Sequence, residues 1–295
     1  MAANAVELTV EQAWFIAEEG GCGSFPWVLA ITPPYSEQAA AGRFAADRVA
    51  ELTELGVMSA NRVVNPAVAQ WIQRTCRAAR WLELRSVGVC GDMLRGFVAR
   101  HDDVSVVALR SGGLVTFTAM ELVAPHDLVP VLVAGLAGRR AAIFDDFTVP
   151  VRAGVRADEK LRNGAELAEV LEYLGIPASA RPVVEALFTG RRSYVEIVAG
   201  EHRDGHRVST EVGVSIVDSA AGRILVSPSK AFDGEWVSTF TPGAAAVIAD
   251  AVDRLIATLP HGSWFPTADA RSKNFSSHQN RDFDQRTEDR CPTTL

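Results

Sequence analysis

The chain has 295 residues, of which 48% are hydrophobic and 22% are charged, and its formal net charge is −7. This composition is typical of a globular protein, and the acidic balance argues against general nucleic-acid binding, which needs a basic face. Residues 1–12 carry no basic n-region, and the longest apolar run, at 128–136, is too short to cross a bilayer. We therefore expect a cytoplasmic protein without a signal peptide or membrane insertion.

The first half of the chain predicts helices followed by four strands. Thr9 is placed to cap the first helix, and Asn65 caps a later helix that has Pro66 at its first position. The region 81–120 contains four apolar runs separated by short turns, so consecutive strands should pair antiparallel. A packed helix is expected at 127–136.

The second half predicts the same order of elements. Residues 139–163 are expected to connect the halves. Helices follow at 164–174 and 179–189, and four more strands lie within 193–240. Thr241 is placed to cap a final helix.

This repetition defines the expected domain organisation. Residues 1–138 form an N-terminal half and residues 164–266 a C-terminal half, and the two halves form a single domain of the α+β class. Residues 267–295 have mixed charge and few apolar residues, which predicts a disordered tail. Two antiparallel meanders with helices beside them make a broad platform, which favours binding over catalysis.

Residue patterns typical of catalysis are weak. His202 and His206 flank a predicted hairpin turn, so they lack the helical spacing of a zinc pair. A small metal-dependent hydrolase built on these histidines remains the alternative function. Asp145 and Asp146 are adjacent in an extended segment, so their side chains should point to opposite faces. We expect no enzyme activity, no cofactor and no bound metal.

The cysteines also lack a reactive pattern. None of them stands in a C-x-x-C pair. We expect free thiols in a reducing compartment. The four are Cys22, Cys76, Cys90 and Cys291.

One predicted surface is suited to docking another protein. In a strand at 206–218 the side chains alternate, and one face carries mostly small residues around a single carboxylate. Small side chains allow the close approach of another chain, and the neighbouring strand is expected to extend the surface. A glycine-rich loop at 86–92 is expected to act as an adaptable flap. The candidate partner-binding residues are Ser209, Glu211, Gly213, Leu225, Ser227, Ser229, Ser86, Val87, Gly88 and Val89.

Long strings of the sequence resemble a known family. They include GSFPWVLAITPPYS at 23–36, YVEIVAGEHRDGHRVSTEVGVSI at 194–216 and KAFDGEWVSTFTPG at 230–243, with shorter matches at 4–9 and 106–120. The chain resembles the EspG family, the chaperones of mycobacterial ESX (type VII) secretion, and in particular the paralogue of the iron-linked ESX locus.

The resemblance implies a fold, a partner and a docking surface. It implies a strongly twisted antiparallel central sheet flanked by helical bundles, with pseudo-two-fold halves. It also implies binding of a cognate PE–PPE heterodimer at the tip of the PPE subunit, which keeps the pair soluble and directs it to secretion. The docking surface would use the second meander and the helices at 167–174 and 181–188, beside the loop at 86–92. The free chaperone would be a monomer or a weak homodimer, and no catalytic residues transfer from the family. A purely structural component of the secretion apparatus is a further reading.

Overall fold

The computed structural model of the chain describes residues 4–36, 38–101 and 104–265, so the predicted tail at 267–295 lies outside the described residues. The strands are β1 (Ala5–Thr9), β2 (Arg80–Val87), β3 (Met93–His101), β4 (Val104–Ser111), β5 (Leu114–Glu121), β6 (Phe147–Pro150), β7 (Ser193–Arg203), β8 (His206–Ser209), β9 (Val214–Ser219), β10 (Gly222–Lys230) and β11 (Trp236–Pro242). The helices are α1 (Val10–Glu19), α2 (Gln38–Glu54), α3 (Pro66–Cys76), α4 (Val129–Leu132), α5 (Val151–Arg162), α6 (Leu167–Tyr173), α7 (Arg181–Thr189) and α8 (Ala245–Ala257), with 3₁₀ helices at Trp27–Leu29 and Pro125–Leu128.

Within the described ranges, the strands form a single 11-stranded sheet. Its order is β1-β5-β4-β3-β2-β7-β9-β10-β11-β6, with β8 paired to β7. The central pair, β2 and β7, is antiparallel and runs from Arg80 opposite Glu201 to Val87 opposite Tyr194. The predicted α+β class, with a large antiparallel sheet and flanking helices, is confirmed.

The two halves of the chain have the same order of elements. The first half reads β1, α1, α2, α3, four strands and α4, and the second reads β6, α5, α6, α7, four main strands and α8. β1 and β6 also take matching positions at the two edges of the sheet. This order is expected of a duplicated module, and the duplication itself stays a prediction. The segment 139–163, expected to be a connection, therefore contains an edge strand and a helix of its own.

Local capping signals were predicted well at two helices. The Thr9 Oγ1 accepts a hydrogen bond from the Gln12 backbone N–H at 3.1 Å, and the Gln12 Oε1 accepts one from the Thr9 backbone N–H at 2.9 Å. The Asn65 side chain likewise accepts from the Ala67 N–H at 3.0 Å. Both caps satisfy backbone donors that the first helical turn leaves free.

Two other helix predictions were wrong in their bounds. Thr241 caps no helix, because it lies in β11 opposite Leu225, and α8 begins only at Ala245. The helix expected at 127–136 is reduced to a 3₁₀ turn and the four residues of α4. Gly135, which follows α4, lies close to β2. An added Cβ at Gly135 would lie 2.7 Å from the side chain of Ser86.

Helices cover the sheet unequally on its two faces. On one face, here called the bundle face, α1–α3 pack on the first meander around Trp81, Phe97 and Phe117. On the same face, α6 and α7 pack on the second meander around Ile224 and Phe147. The opposite face, here called the α8 face, carries a core shared by both halves and covered by α4 and α8. The bundle face is therefore covered at its two ends by separate helical groups.

A glycine in β7 allows a tryptophan to pack across the central strand pair. Gly200 stands opposite Trp81 of β2, and an added Cβ at Gly200 would lie 2.5 Å from the buried indole ring. At this distance something must move, and the indole is only 2% exposed and stacks on Phe97, with ring centroids 6.2 Å apart.

We predict that Gly200→Ala destabilises the protein by about 1–3 kcal/mol through overpacking against Trp81. The matched control is Gly42→Ala in α2, where no heavy atom lies within 4 Å of the added Cβ. The control should be neutral or slightly stabilising, because alanine favours a helix interior. Urea unfolding of the three proteins measures the difference, and equal midpoints would contradict the packing argument.

Candidate partner-binding surface

A single row of opposed residues crosses the bundle face from the first meander to the second. Its members lie directly opposite one another on eight adjacent strands. In strand order from β4 to β6 they are Arg110, Arg95, Arg85, Glu196, Ser215, Val226, Phe240 and Phe147. The row is basic on the first meander, carries an acidic and a small residue at its centre (Glu196 and Ser215), and ends in apolar residues.

The centre of this row is open between the two helical groups. Arg85 and Glu196 are exposed and Ser215 is half-buried. They line a cavity of about 310 Å³ together with Val198 and Gly213. We call these five residues the open strip. A partner can reach the backbone of β9 closely at Gly213 and Ser215, because the first has no side chain and the second a short one.

An apolar groove adjoins the open strip on the second meander. It lies between the sheet and α5–α7 and has a volume of about 330 Å³. Val226 and Phe240 belong to its sheet side, where the rings of Phe240 and Phe147 stack with centroids 4.7 Å apart. Phe188 of α7 lines the groove and is 53% exposed. We call this feature the α5–α7 groove, and it continues the row from the open strip.

The β2–β3 turn lies next to this surface. The Gly88 N–H donates to the Asp92 carbonyl at 2.8 Å, which closes the loop. The Arg191 guanidinium lies 3.5 Å from the Cys90 Sγ, so the loop contacts the connection between α7 and β7. Gly88 and Val89 therefore lie in a loop beside the α7–β7 connection, and their role as a flap stays a prediction.

The predicted long strand at 206–218 is interrupted. Gly200 pairs with Ser209, whereas Ile197 pairs with Val214, so residues 210–213 lie opposite only two residues of β7. The register therefore shifts by two at this bulge, and the alternation of faces is preserved. Glu211 lies in the bulge and is exposed, which places it at the end of the open strip.

Gly213 is required by the return from the bulge into β9. An added Cβ at this position would lie 2.7 Å from the Ile197 carbonyl oxygen. Ser209 lies on β8 and is exposed. Ser209, Glu211 and Gly213 therefore remain candidates for partner binding.

Leu225, Ser227 and Ser229 were expected beside those residues, and this expectation was wrong. Leu225 stands opposite Ile216, and both side chains belong to the core on the α8 face. Leu225 is 0% exposed and cannot contact a partner. Ser227 is half-buried, whereas Ser229 is exposed and its Oγ lies 3.3 Å from the Thr239 Oγ1. The sequence pattern did not fix the register of β10 against β9, and the observed register places Val226, not Leu225, opposite Ser215.

Ser86 was also expected in the flap, and the structure corrects this. It is 3% exposed within β2, on the α8 face, where it packs against Gly135. Val87, the next residue, is half-buried at the end of β2 on the bundle face. Of the four predicted flap residues, Gly88 and Val89 lie in the loop.

Arg85 was not predicted, whereas Glu196 falls in the second meander and several groove residues fall in the helices at 167–174 and 181–188, which the family resemblance had indicated. Arg85 shares a face with Trp81 and Glu83, because the three are two residues apart along β2, so a period-two reading of that strand would have placed it on the bundle face. The groove could not be found this way, because it needs the packing of three helices on non-consecutive strands.

The histidine hairpin has no metal-binding geometry. His202 stands opposite Arg207, and His206 stands opposite Arg203, so the two histidines occupy opposite faces of the β7–β8 ladder. The His202 ring instead packs on Trp81, with centroids 5.1 Å apart. Across the described ranges, no three His, Cys, Asp or Glu side chains are grouped to hold a metal ion.

The described cysteines are free thiols, as predicted, and two of them are poor nucleophiles. Burial raises the pKa of the Cys76 thiol to about 12, and burial also raises the pKa of the Cys22 thiol. Cys90 is exposed in the β2–β3 loop. Cys291 lies outside the described residues.

Among the helices of the described residues, none combines the length and the apolar character needed to span a bilayer.

The fold matches that of a known class of secretion chaperone. The structure titled Mycobacterium tuberculosis type VII secretion system chaperone EspG5 in complex with the PE25–PPE41 dimer has a TM-score of 0.73 to this chain. The match covers 88% of this chain and 98% of EspG5 at 19% sequence identity, so it establishes the shared fold.

The sequence comparisons define the family. The EspG family model matches residues 9–254, and the chain belongs to the EspG family. It is 64% identical to the ESX-3 secretion-associated protein EspG3 of Mycolicibacterium smegmatis, over 90% of this chain and 91% of that protein. The EspG3 of Mycobacterium tuberculosis is 56% identical over 93% of this chain and 97% of that protein. The ESX-1 protein EspG1 of Mycobacterium marinum is 33% identical over 91% and 93%. The predicted family resemblance is confirmed, and the ESX-3 relatives are the more similar ones.

The difference in burial between Leu225 and Ser227 on the α8 face of β10 provides a test. We predict that Leu225→Ala destabilises the protein by about 2–5 kcal/mol, because it opens a cavity in the core. Ser227→Ala, two residues away on the same face, should change stability by less than about 0.5 kcal/mol, since its side chain is only half-buried. Thermal unfolding checks both values, and a stable Leu225→Ala protein would contradict the burial of this residue.

Proposed function

We propose that this chain is a non-enzymatic, cytosolic chaperone that binds a cognate PE–PPE heterodimer. Binding at the PPE tip keeps the heterodimer soluble and directs it to ESX (type VII) secretion. The observation that carries the proposal is membership in the EspG family, together with a shared fold with EspG5, whose structure was solved in complex with a PE–PPE pair. No bound metal or cofactor is required.

The open strip and the α5–α7 groove support a protein partner over a small substrate. Together they present short side chains, two opposite charges and an apolar groove along one continuous row. Protein interfaces combine such an apolar core with a polar rim. An interface of standard size buries about 1,200–2,000 Å² in total, which needs more surface than either cavity alone offers.

The chaperone effect follows from mass action. A chaperone that binds the folded, soluble PE–PPE pair lowers the concentration of pairs whose apolar PPE tip is free. Aggregation depends steeply on that concentration, so a stable complex suppresses it. The acidic net charge of the chain helps to keep the complex in solution.

Five of the ten candidate residues remain in this proposal, on the open strip, next to it in β8 and the bulge, and in the flap. They are Ser209, Glu211, Gly213, Gly88 and Val89. Val87 supports the flap from the end of β2, and Ser229 would be reached only by a partner that extends past the end of the β10–β11 hairpin. Leu225, Ser86 and the half-buried Ser227 belong to packing on the α8 face.

We predict that Glu211→Arg abolishes co-purification with the cognate PE–PPE pair, because the reversed charge lies at the end of the open strip. Glu7→Arg is the matched control, since Glu7 is an exposed carboxylate on edge strand β1. Both variants should fold, as circular dichroism would report. Equal yields from the two pull-downs would remove Glu211 from the binding site.

We also predict that Phe188→Glu weakens binding to the same pair by about tenfold or more, because a charge at the groove would be desolvated on docking. Val123→Glu is the control, since Val123 is 71% exposed outside the groove. Titration calorimetry gives the two dissociation constants. Binding of unchanged affinity by Phe188→Glu would show that the groove does not take part.

A further inference from the structure

The first half of the chain presents one large aromatic side chain to solvent on the bundle face. Trp27 is 84% exposed, whereas its neighbours Val28 and Leu29 are 1% and 0% exposed. The sequence has 6 tryptophans, and the other five are buried or half-buried. Trp27 begins the 3₁₀ helix Trp27–Leu29, whose buried residues pack with Phe97 and Phe117. The buried side chains of Val28 and Leu29 therefore hold the exposed indole above the sheet.

Arginines fix the backbone of this segment from both sides. The Arg95 guanidinium donates to the Val28 carbonyl at 3.3 Å, and the Arg110 guanidinium donates to the Leu29 carbonyl at 2.7 Å. Arg110 also bonds the carbonyl of Ala30, the next residue. On the preceding side, the Arg77 guanidinium donates to the Cys22 carbonyl at 3.1 Å. A side chain presented on a fixed backbone loses little conformational freedom when it is buried by a partner.

Trp27 lies next to the open strip. It lines a cavity of about 190 Å³ together with Trp81, His202 and Arg207. Arg207 stacks on Trp81 and pairs with Glu83, which stands opposite Val198 of the open strip. Arg95, which holds the Trp27 backbone, is also the neighbour of Arg85 in the row across the sheet. The surface is therefore continuous from Trp27 to the strip.

We propose that Trp27 is an anchor residue for the docked PE–PPE heterodimer, supplied by the first half of the chain. The inference rests on the proposed function and adds a contact opposite the α5–α7 groove. Tryptophan is enriched among residues that dominate binding, because it buries a large apolar area with few rotatable bonds. With anchors at Trp27 and at the groove, the partner would span the open strip between the two helical groups. Its contact at Trp27 would be an apolar or aromatic side chain at the PPE tip.

The test uses the full chain labelled with 5-fluorotryptophan, and the PE–PPE heterodimer that the wild-type protein captures from a co-expressed panel. The fluorine resonance of Trp27 is assigned by its absence in Trp27→Phe. We expect this resonance to shift when the unlabelled heterodimer is added. Trp27→Ala should bind about tenfold or more weakly, and Leu55→Ala, an exposed apolar control in the same half, should bind as the wild type does.

The outcomes separate the inference from the proposed function. If the heterodimer binds and the Trp27 resonance stays in place, with Trp27→Ala of wild-type affinity, the anchor is wrong while the proposed function stands. A shift that follows the concentration of the chaperone alone would assign Trp27 to contact with a second copy and would overturn the inference. If the wild-type protein captures no heterodimer from the panel, both fail. Because the fluorine shift is measured on the unmutated sequence, a folding defect in Trp27→Ala cannot decide the result.

Discussion

The antiparallel pairing of β2 with β7 is the interaction on which the rest of the structure depends. It joins two meanders that are far apart in sequence through eight opposed positions, from Arg80 and Glu201 to Val87 and Tyr194. Because the pairing is continuous, side chains of both halves fall into common rows across one sheet face. A shift of one residue would turn Leu82 and Leu84 away from the shared core and towards the bundle face. The register of β2 against β7 therefore determines both the open strip and the core on the opposite face of the sheet.

The two faces of this junction have different roles. On the α8 face, helices from both halves cover the centre, so the apolar side chains there form one core. The same face contains the fully buried Glu201, whose carboxylate lies 2.8 Å from the His261 Nδ1 and also accepts from the His261 backbone N–H. A buried carboxylate without such partners would be costly, so this contact holds the segment after α8 against the sheet. On the bundle face, the helices stay at the two ends. This unequal coverage gives a stable sheet and leaves its opposite centre free for a partner.

The candidate site was predictable where it depended on local pattern and was mispredicted where it depended on pairing. Alternation along β8 and β9 correctly separated Val214 and Ile216 from Ser209, because strand periodicity survives a two-residue bulge. The same reasoning failed for Leu225, since the face of a residue in β10 is set by its partner in β9. Arg85 lay in a segment predicted only as a strand, and Trp27 lay in a segment noted only for its resemblance to the family. Their importance depends on what packs around them, and a single strand or turn does not report this.

The amino-acid sequence by itself determined the positions of most strands, two helix caps, the absence of a recognisable catalytic pattern and the family. These features arise from interactions between residues close in the chain, or from long strings of identity. Only the tertiary structure decided which strands are neighbours, which face each candidate residue occupies, and that edge strand β6 belongs to the same sheet as β1. The physical reason is that sheet registers and helix packing are set by contacts between distant residues. Alternation along one strand carries no information on which strand will lie opposite.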